Sequence, residues 1–388
     1  MTHIRLMELI DSGELGGGQI HVASLLRNID YSAFDVTVCA GPRSPLTRLL
    51  EGIGCDIVPV DVKAVMSPSS FIRVVRELKR RRIDLVHVHG GVAGMWGRLA
   101  AALARTPRCV YTCHGLHFFY KENPVARWAV MGIERALSRF NDGLIYVSEH
   151  DRGLGTSSGV LAGRRVRVIR NGIDPRKYRR VSDPRAKRVE LGIPQDAPVF
   201  GSVGRLHPQK GHIVLLEAMR KLAQEHPEAR LLLIGDGPLR PELEERVARW
   251  GLGERVRFLG YRHDVPELLE AVDLFVLSSY WEGLPISLLE AMASGTPVAA
   301  PKIGGVTEVV DDGKTGYLFP AGNHEELYRL MSKFIELRDG FMAAAEQARE
   351  KIASCFTVDR MARETMEFLM EIYREGGDRG GHEGRARP

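Results

Sequence analysis

The chain has 388 residues, more than one ordinary hydrophobic core organises, so two domains are expected. Its formal net charge of +5 fits an anionic ligand or an acidic membrane surface and is too small to argue for nucleic acid as a partner. The five cysteines, Cys39, Cys55, Cys109, Cys113 and Cys355, are odd in number and have no CxxC spacing. They argue for a reduced, cytoplasmic protein and against a disulfide scaffold; nothing at the start resembles a signal peptide, and no apolar run is long enough to span a bilayer.

In chain order, the first half alternates short apolar strands with helices. HIRLMELI at 3–10 reads as an opening strand, DSGELGGGQ as a glycine-rich turn, and 18–29 as an apolar-periodic helix. FDVTVCA, CDIVPV, DLVHVH, RCVYTCH and GLIYVS read as further strands. Ser44-Pro45 and Ser67-Pro68 read as helix starts, since serine caps free N–H groups and proline suits the first helical position. This alternation predicts a doubly wound parallel sheet. The polar, basic, proline-bearing segment 171–197 reads as a linker between a first domain at 1–170 and a second at 198–356. In the second, PVFGSVG, ARLLLIG, RVRFLG, DLFVLSS and TPVAA restart the same pattern. Helices over 323–374 close the chain, and the glycine-rich charged tail 376–388 is expected to be disordered.

Three places carry candidate chemistry. In WEGLPISLLEAMASGT, at 281–296, Glu282 lies in a loop and Glu290 on the following helix, with Pro285 as a first helical residue and Gly295 as the stop. Ligands of open α/β sheets bind beyond the strands' carboxyl ends, where helix amino termini point their N–H groups, so both carboxylates can reach one ligand; the alternative is a pair of ordinary helix glutamates. In GRLHPQKG, Arg205 and Lys210 stand between Gly204 and Gly211 at a strand end, which suits a diphosphate clamp better than a solvated loop. In the first half, Gly16, Gly17 and Gly18 allow close backbone approach to a ligand, and His114 ends a strand among aromatic residues. His21 stands where a nicotinamide-binding GxGxxG needs its last glycine, which weakens that reading.

No metal site is expected. Cys109 and Cys113 share a strand face from which His114 points away, no second ligand pair has zinc spacing, His87 and His89 lack a carboxylate companion, and there is no Asp-x-Asp to cradle a divalent ion on a diphosphate.

Together, the early glycine loop, HVHGGVAGMWGRL, YTCHGLHF, VIRNGID, VGRLHPQKG, LLLIGDGP, LGYRHDV and the Glu282 and Glu290 pair resemble the family four retaining glycosyltransferases of GT-B fold, over about residues 3–370 and in the right order. The YTCHGLHF block is most similar to bacterial members that build exopolysaccharide, capsule or other cell-surface glycans on lipid carriers. The resemblance implies two Rossmann-like domains facing across a cleft, with a last helix at about 357–374 returning to the first. It implies that Arg205 and Lys210 bind the donor's diphosphate, that Glu290 binds the ribose hydroxyls, and that Glu282 with the backbone of Gly283, Leu284, Pro285 and Ile286 holds the donor sugar. It further implies His114 beside the reacting sugar, Gly16 and Gly17 in the loop near the diphosphate, and Tyr261 and Arg262 near the base, with Asn171 at the hinge.

The implied catalytic groups are therefore His114, Glu282, Arg205 and Lys210. The implied reaction moves a sugar, with retention, from a nucleotide-diphosphate sugar, UDP favoured, to a glycan or polyprenyl-linked acceptor. Donors fixed beside the phosphates stabilise the leaving charge without a metal or other cofactor. Alternatives are a GT-B sugar-nucleotide epimerase and a non-catalytic nucleotide-sugar or glycan-binding subunit. The basic and apolar stretches 71–82 and 126–140 are candidates for peripheral contact with an anionic membrane.

Overall fold

The computed structural model describes residues 3–11, 16–42, 44–60, 62, 67–120, 123–178 and 183–377. The chain divides into two compact units, Met1–Asn171 with Val358–Pro388, and Gly172–Thr357. In order the elements are β1 (Ile4–Leu9), α1 (Gly17–Arg27), β2 (Phe34–Ala40), α2 (Pro45–Leu49), β3 (Asp56–Pro59), α3 (Pro68–Arg80), β4 (Leu85–His89), α4 (Gly91–Ala104), β5 (Arg108–Cys113), α5 (Pro124–Leu137), β6 (Gly143–Tyr146), α6 (Glu149–Ser158) and β7 (Arg165–Val168). There follow α7 (Pro184–Glu190), β8 (Val199–Val203), α8 (His212–Glu225), β9 (Arg230–Ile234), α9 (Arg240–Arg249), β10 (Val256–Gly260), α10 (Val265–Ala271), β11 (Leu274–Val276), α11 (Ile286–Ser294), β12 (Val298–Pro301), α12 (Val306–Val309), β13 (Tyr317–Phe319), α13 (His324–Glu336), α14 (Arg338–Cys355) and α15 (Val358–Gly377).

The first unit is a seven-stranded sheet in the order β3-β2-β1-β4-β5-β6-β7, parallel throughout. The order reverses between β1 and β4, so their carboxyl ends diverge and leave room for a ligand. The helix starts follow local chemistry: Ser44 Oγ and Ser67 Oγ each accept a backbone N–H at 3.1 Å, from Thr47 and Ser70, with Pro45 and Pro68 leading the helices. Both sheet faces are covered. Leu25, Leu26, Phe368, Leu369 and Ile372 pack on one, and Val74, Leu78, Ala100 and Phe118 on the other. α15 is tied to the edge by ion pairs of Arg167 with Glu371 at 2.5 Å and Arg165 with Glu375 at 2.6 Å.

The second unit is a six-stranded parallel sheet, β10-β9-β8-β11-β12-β13, with its own reversal between β8 and β11. Part of the segment expected as a linker is built into it. Leu191, Ile193 and Ala197 are buried with Leu232, Leu268 and Val272, and Arg188 Nη2 meets Asp273 at 2.6 Å. The basic residues of 183–197 concealed an apolar trio that follows α7. Asp273 also accepts Val199 N–H at 2.9 Å, which locks α7 to the start of β8.

Two strands had no counterpart in the sequence reading, β7 and β13. Each is an edge strand of three or four residues, and the RVRV of β7 alternates instead of forming an apolar run. The tail at 378–388 lies outside the described residues, as do positions 12–15 of the glycine-rich turn. No helix among the described residues is long and apolar enough to cross a membrane.

Phe368 on α15 is 1% exposed and packs where a Cβ at Gly143 would come within 2.9 Å of its ring. Phe368→Ala should therefore destabilise the first unit by about 3–5 kcal/mol. Denaturant unfolding followed by circular dichroism checks this; a loss below about 1 kcal/mol would show that α15 is not part of that core.

Candidate active site

In the second unit, the loops after β8 and β11 meet at the point of sheet reversal. The first runs from Gly204 through Arg205 to a 3-10 turn at Pro208–Lys210 and ends at Gly211, whose φ of +59° is the left-handed conformation glycine adopts cheaply. A Cβ there would lie 2.2 Å from the Ser278 carbonyl oxygen, so a residue with a side chain would force the loops apart. Close approach is fixed by Ser278 Oγ donating to the Lys210 carbonyl at 2.8 Å and by Tyr280 N–H donating to the Gln209 carbonyl at 2.8 Å.

That approach builds an ionic contact. Lys210 Nζ lies 2.5 Å from Glu282 Oε1, which also accepts Ser279 Oγ at 2.6 Å, while Gln209 Nε2 reaches Glu282 Oε2 at 3.4 Å and the Trp281 carbonyl at 3.0 Å. The Glu282 side chain is only 7% exposed and that of Lys210 20%, so screening is weak. Arg205 is half-buried on the same loop. Gly283, Leu284, Pro285 and Ile286 then lead into α11, whose start has no side-chain cap and no acidic residue in its first turn. Pro285 is the N-cap, with φ −74° and ψ 118°, and Ile286 is the first helical residue, one position later than the sequence suggested. The helix thus presents an uncapped positive end beside a lysine and an arginine loop, an arrangement that favours an anion.

Glu290 lies little more than one turn into α11 and is buried. Tyr178, from the 3-10 turn Pro175–Tyr178, donates its hydroxyl to Glu290 Oε1 at 2.6 Å. Burial pushes the Glu290 carboxyl up to about 7, against the opposing pull of the Tyr178 hydrogen bond. The same environment raises the Tyr178 phenol: burial first, then the adjacent carboxylate. Arg262, implied to lie near the base, is ion-paired within the second unit. Its guanidinium binds Asp264 at 2.6 Å and Glu190 at 3.1 Å, whereas Tyr261 is 50% exposed.

In the first unit, His114 follows β5 and packs among other imidazoles. His89 Nδ1 lies 3.1 Å from His114 Nε2, and the His21 ring meets that of His114 edge-on with centroids 4.8 Å apart. His21 Nδ1 is 2.9 Å from Asn171 Oδ1. Gly18 adjoins this group, a Cβ there falling 3.8 Å from His114 Cδ2; Gly16 caps α1 and Gly17 begins it. The expectation that His87 and His89 lack a carboxylate companion is corrected. Glu8 Oε1 lies 3.0 Å from His87 Nδ1 and Oε2 2.7 Å from His89 Nε2. Glu8 and His87 are directly paired across β1 and β4, 79 residues apart in sequence, a neighbour that local spacing does not reveal. Among the described residues, two sets could offer ligand atoms to a metal ion, His21 with His89 and His114, and Glu8 with His87 and His89, each with its atoms within 4.8 Å of one another. Neither contains a cysteine.

Comparison with known proteins decides the family. Residues 183–351 match the model for glycosyl transferases group 1, and residues 15–177 match that for glycosyltransferase family 4. The D-inositol 3-phosphate glycosyltransferase of Streptomyces scabiei is 31% identical over 307 residues, 73% of this chain and 67% of that protein. The chain belongs to glycosyltransferase family 4.

Over 380 residues this family 4 glycosyltransferase is also 29% identical to the Escherichia coli UDP-Gal:alpha-D-GlcNAc-diphosphoundecaprenol alpha-1,3-galactosyltransferase, spanning 96% of the one and 97% of the other. Among solved structures it is similar to Anabaena HepE in complex with UDP and glucose, with a TM-score of 0.83 and 25% identity over 95% of this chain and all of that one. Its two parallel-sheet units are those of the GT-B class.

Several residues of this glycosyltransferase's site escaped the sequence reading. Gln209, inside GRLHPQKG, and Ser279, just before the 281–296 motif, hold Glu282; Tyr178 lies in the supposed linker. Gly305 lets a neighbouring turn lie against the loop that leads into α11, since a Cβ there would fall 1.6 Å from the Gly283 carbonyl oxygen. The doubled glycine of KIGGV was the available signal.

The raised Glu290 has a consequence for stability. Its folded value of about 7 exceeds the ordinary 4.5, so its contribution is fully present below pH 4.5 and is lost as pH rises through 7. The loss approaches about 3 kcal/mol. Glu290→Gln should remove that fall, gaining on the wild type between pH 5 and 8 in urea unfolding; parallel curves for the two proteins would contradict the assignment.

Proposed function

We propose that this family 4 enzyme transfers a hexosyl or N-acetylhexosaminyl group from a UDP-sugar to a hydroxyl of a glycan or polyprenyl-linked saccharide, with retention and without a metal, in cell-surface polysaccharide synthesis at the cytoplasmic face. The observation that carries this reading is the contact of Lys210 with a mostly buried Glu282, four residues before the start of α11, which has no side-chain cap. The relatives support these substrates: the E. coli relative is named for UDP-Gal and a diphosphoundecaprenol acceptor, and the HepE structure holds UDP and glucose.

The chemistry follows from charge. As the bond between the anomeric carbon and the phosphate oxygen breaks, negative charge collects on the UDP phosphates, beside Arg205, Lys210 and the N–H groups at 283–286. Glu282 accepts sugar hydroxyls and is released from Lys210 as the phosphates arrive. Glu290 exchanges the Tyr178 hydroxyl for the ribose hydroxyls, an exchange of one hydrogen bond for another. His114 is assigned to the reacting sugar on the family resemblance alone. The acceptor oxygen bonds to the anomeric carbon on the face the phosphate leaves, and its proton passes to the departing phosphate oxygen. No group in this scheme demands a divalent ion, because the cations and the helix end already oppose the phosphate charge.

Lys210→Ala should weaken UDP binding at least about tenfold, near 1.4 kcal/mol, with the circular dichroism spectrum unchanged. Unchanged affinity by calorimetry would remove the clamp. Transfer should proceed undiminished in excess EDTA, and the anomeric coupling in the product's NMR spectrum should match that of the donor. Loss of activity restored by added divalent ion would contradict the metal-free scheme, and an inverted anomer the retaining one. Release of a changed sugar without acceptor would instead favour an epimerase.

Membrane contact belongs to the same reading. On α5, Val125 is 76%, Trp128 69% and Ile133 45% exposed, close to the exposed Arg135 and Arg139, and α3 exposes Arg73, Arg76, Lys79 and Arg80. An apolar ridge with basic neighbours suits the headgroup region of an anionic bilayer, where a lipid-linked acceptor lies. The protein should sediment with vesicles containing phosphatidylglycerol, and Trp128→Ser with Val125→Ser should reduce the bound fraction severalfold. Absence of sedimentation with either neutral or anionic vesicles would rule this contact out.

A further inference from the structure

The imidazoles of the first unit form a continuous buried chain of hydrogen bonds. Thr112 Oγ1 lies 2.7 Å from His87 Nε2, His87 Nδ1 3.0 Å from Glu8 Oε1, Glu8 Oε2 2.7 Å from His89 Nε2, and His89 Nδ1 3.1 Å from His114 Nε2. Glu8, His87 and His89 are sealed from solvent, and His114 is the member of the chain that is partly exposed.

One charge fixes every proton in this chain. An ionised carboxylate only accepts, so Glu8 takes the N–H of His87 Nδ1 and that of His89 Nε2. Neutral His89 then carries its lone pair on Nδ1 and requires the donor to be His114 Nε2–H. Neutral His114 is left with a bare Nδ1. The alternative, several imidazolium ions packed together, is opposed by burial and by their mutual repulsion, which push His21 down to about 3 and His89 to about 4 and hold His114 well below its ordinary value. Burial raises the Glu8 carboxyl, but the adjacent His87 and His89 outweigh it and bring it down to about 2.

We propose that Glu8 is a positioning residue for the transfer: acting through His89, it holds His114 as the neutral tautomer protonated on Nε2, with Nδ1 kept bare to accept a hydroxyl of the reacting sugars. This rests on the reading above that places His114 beside the donor sugar. The opposite tautomer would present an N–H where an acceptor is needed. Glu8 itself touches no substrate in this role.

Glu8→Gln tests the relay because the amide keeps the shape but pairs an acceptor with a donor, so the direction of the chain is no longer imposed. With 15N-labelled histidine, the wild-type His114 should show a protonated Nε2 and bare Nδ1 between pH 6 and 8, and Glu8→Gln a mixture or the reverse. The rate kcat should fall about 10- to 100-fold with the donor KM within about twofold, and Glu8→Asp should restore the wild-type tautomer and part of the rate. A folded Glu8→Gln protein with an unchanged His114 tautomer, or with unchanged kcat, overturns the proposal. Should Glu8→Gln not fold, His89→Phe breaks the same chain one link later, and the same two readouts decide. His114→Ala separates the two claims: if it leaves the rate unchanged, the placement of His114 by the sugar fails, whatever the tautomer spectra show.

Discussion

Lys210 Nζ and Glu282 Oε1 lie 2.5 Å apart on loops that belong to two different strands, and the pair exists only because those strands are neighbours. β8 and β11 are separated by β9, β10 and their helices in sequence, yet they adjoin in the sheet because the strand order reverses there. Gly211 makes the junction possible by accepting a left-handed φ against the Ser278 carbonyl. Once the loops touch, a mostly buried carboxylate needs every donor it can find, and Lys210, Ser279 and Gln209 supply them. Charge-assisted hydrogen bonds of this kind contribute roughly 1.5–3 kcal/mol each, enough to hold the two loops in one arrangement.

The same logic, carried out with different groups, recurs around Glu290 and around Glu8. Each is a buried carboxylate whose proton affinity is set by its company. Glu290 has one phenol as partner and is raised to about 7, whereas Glu8 lies between two imidazoles and is lowered to about 2. The first is poised to exchange a neutral hydroxyl partner; the second anchors a fixed direction of hydrogen bonding. Both belong to the ends of parallel strands or the helices that follow them, where a doubly wound sheet concentrates function.

What the sequence disclosed was whatever depends on neighbours along the chain. The buried strands appeared as apolar runs, the serine caps and following prolines marked helix starts, and the Arg205 to Lys210 loop and the Glu282 and Glu290 pair stood out from their spacing and glycine company. What stayed hidden depends on neighbours in space. Glu8 looked like a polar residue in an opening strand until β4 placed His87 directly across from it. Tyr178 and the apolar trio after α7 were masked by surrounding arginines and prolines. Arg262, adjacent to a promising tyrosine, is held by Asp264 and Glu190, and the latter comes from α7. Edge strands β7 and β13 were too short and too polar to announce themselves.

If Glu282 restrains Lys210 in the resting site and serves the sugar once the donor is bound, the two roles respond oppositely to one substitution. Calorimetric titration of Glu282→Ala with UDP and with an intact UDP-sugar reads both. UDP should bind at least as tightly as to the wild type, because the lysine is released to the phosphates, while the UDP-sugar should lose at least tenfold, about 1.4 kcal/mol. Equal weakening of both ligands, or no change in either, would contradict the pairing on which the site is built.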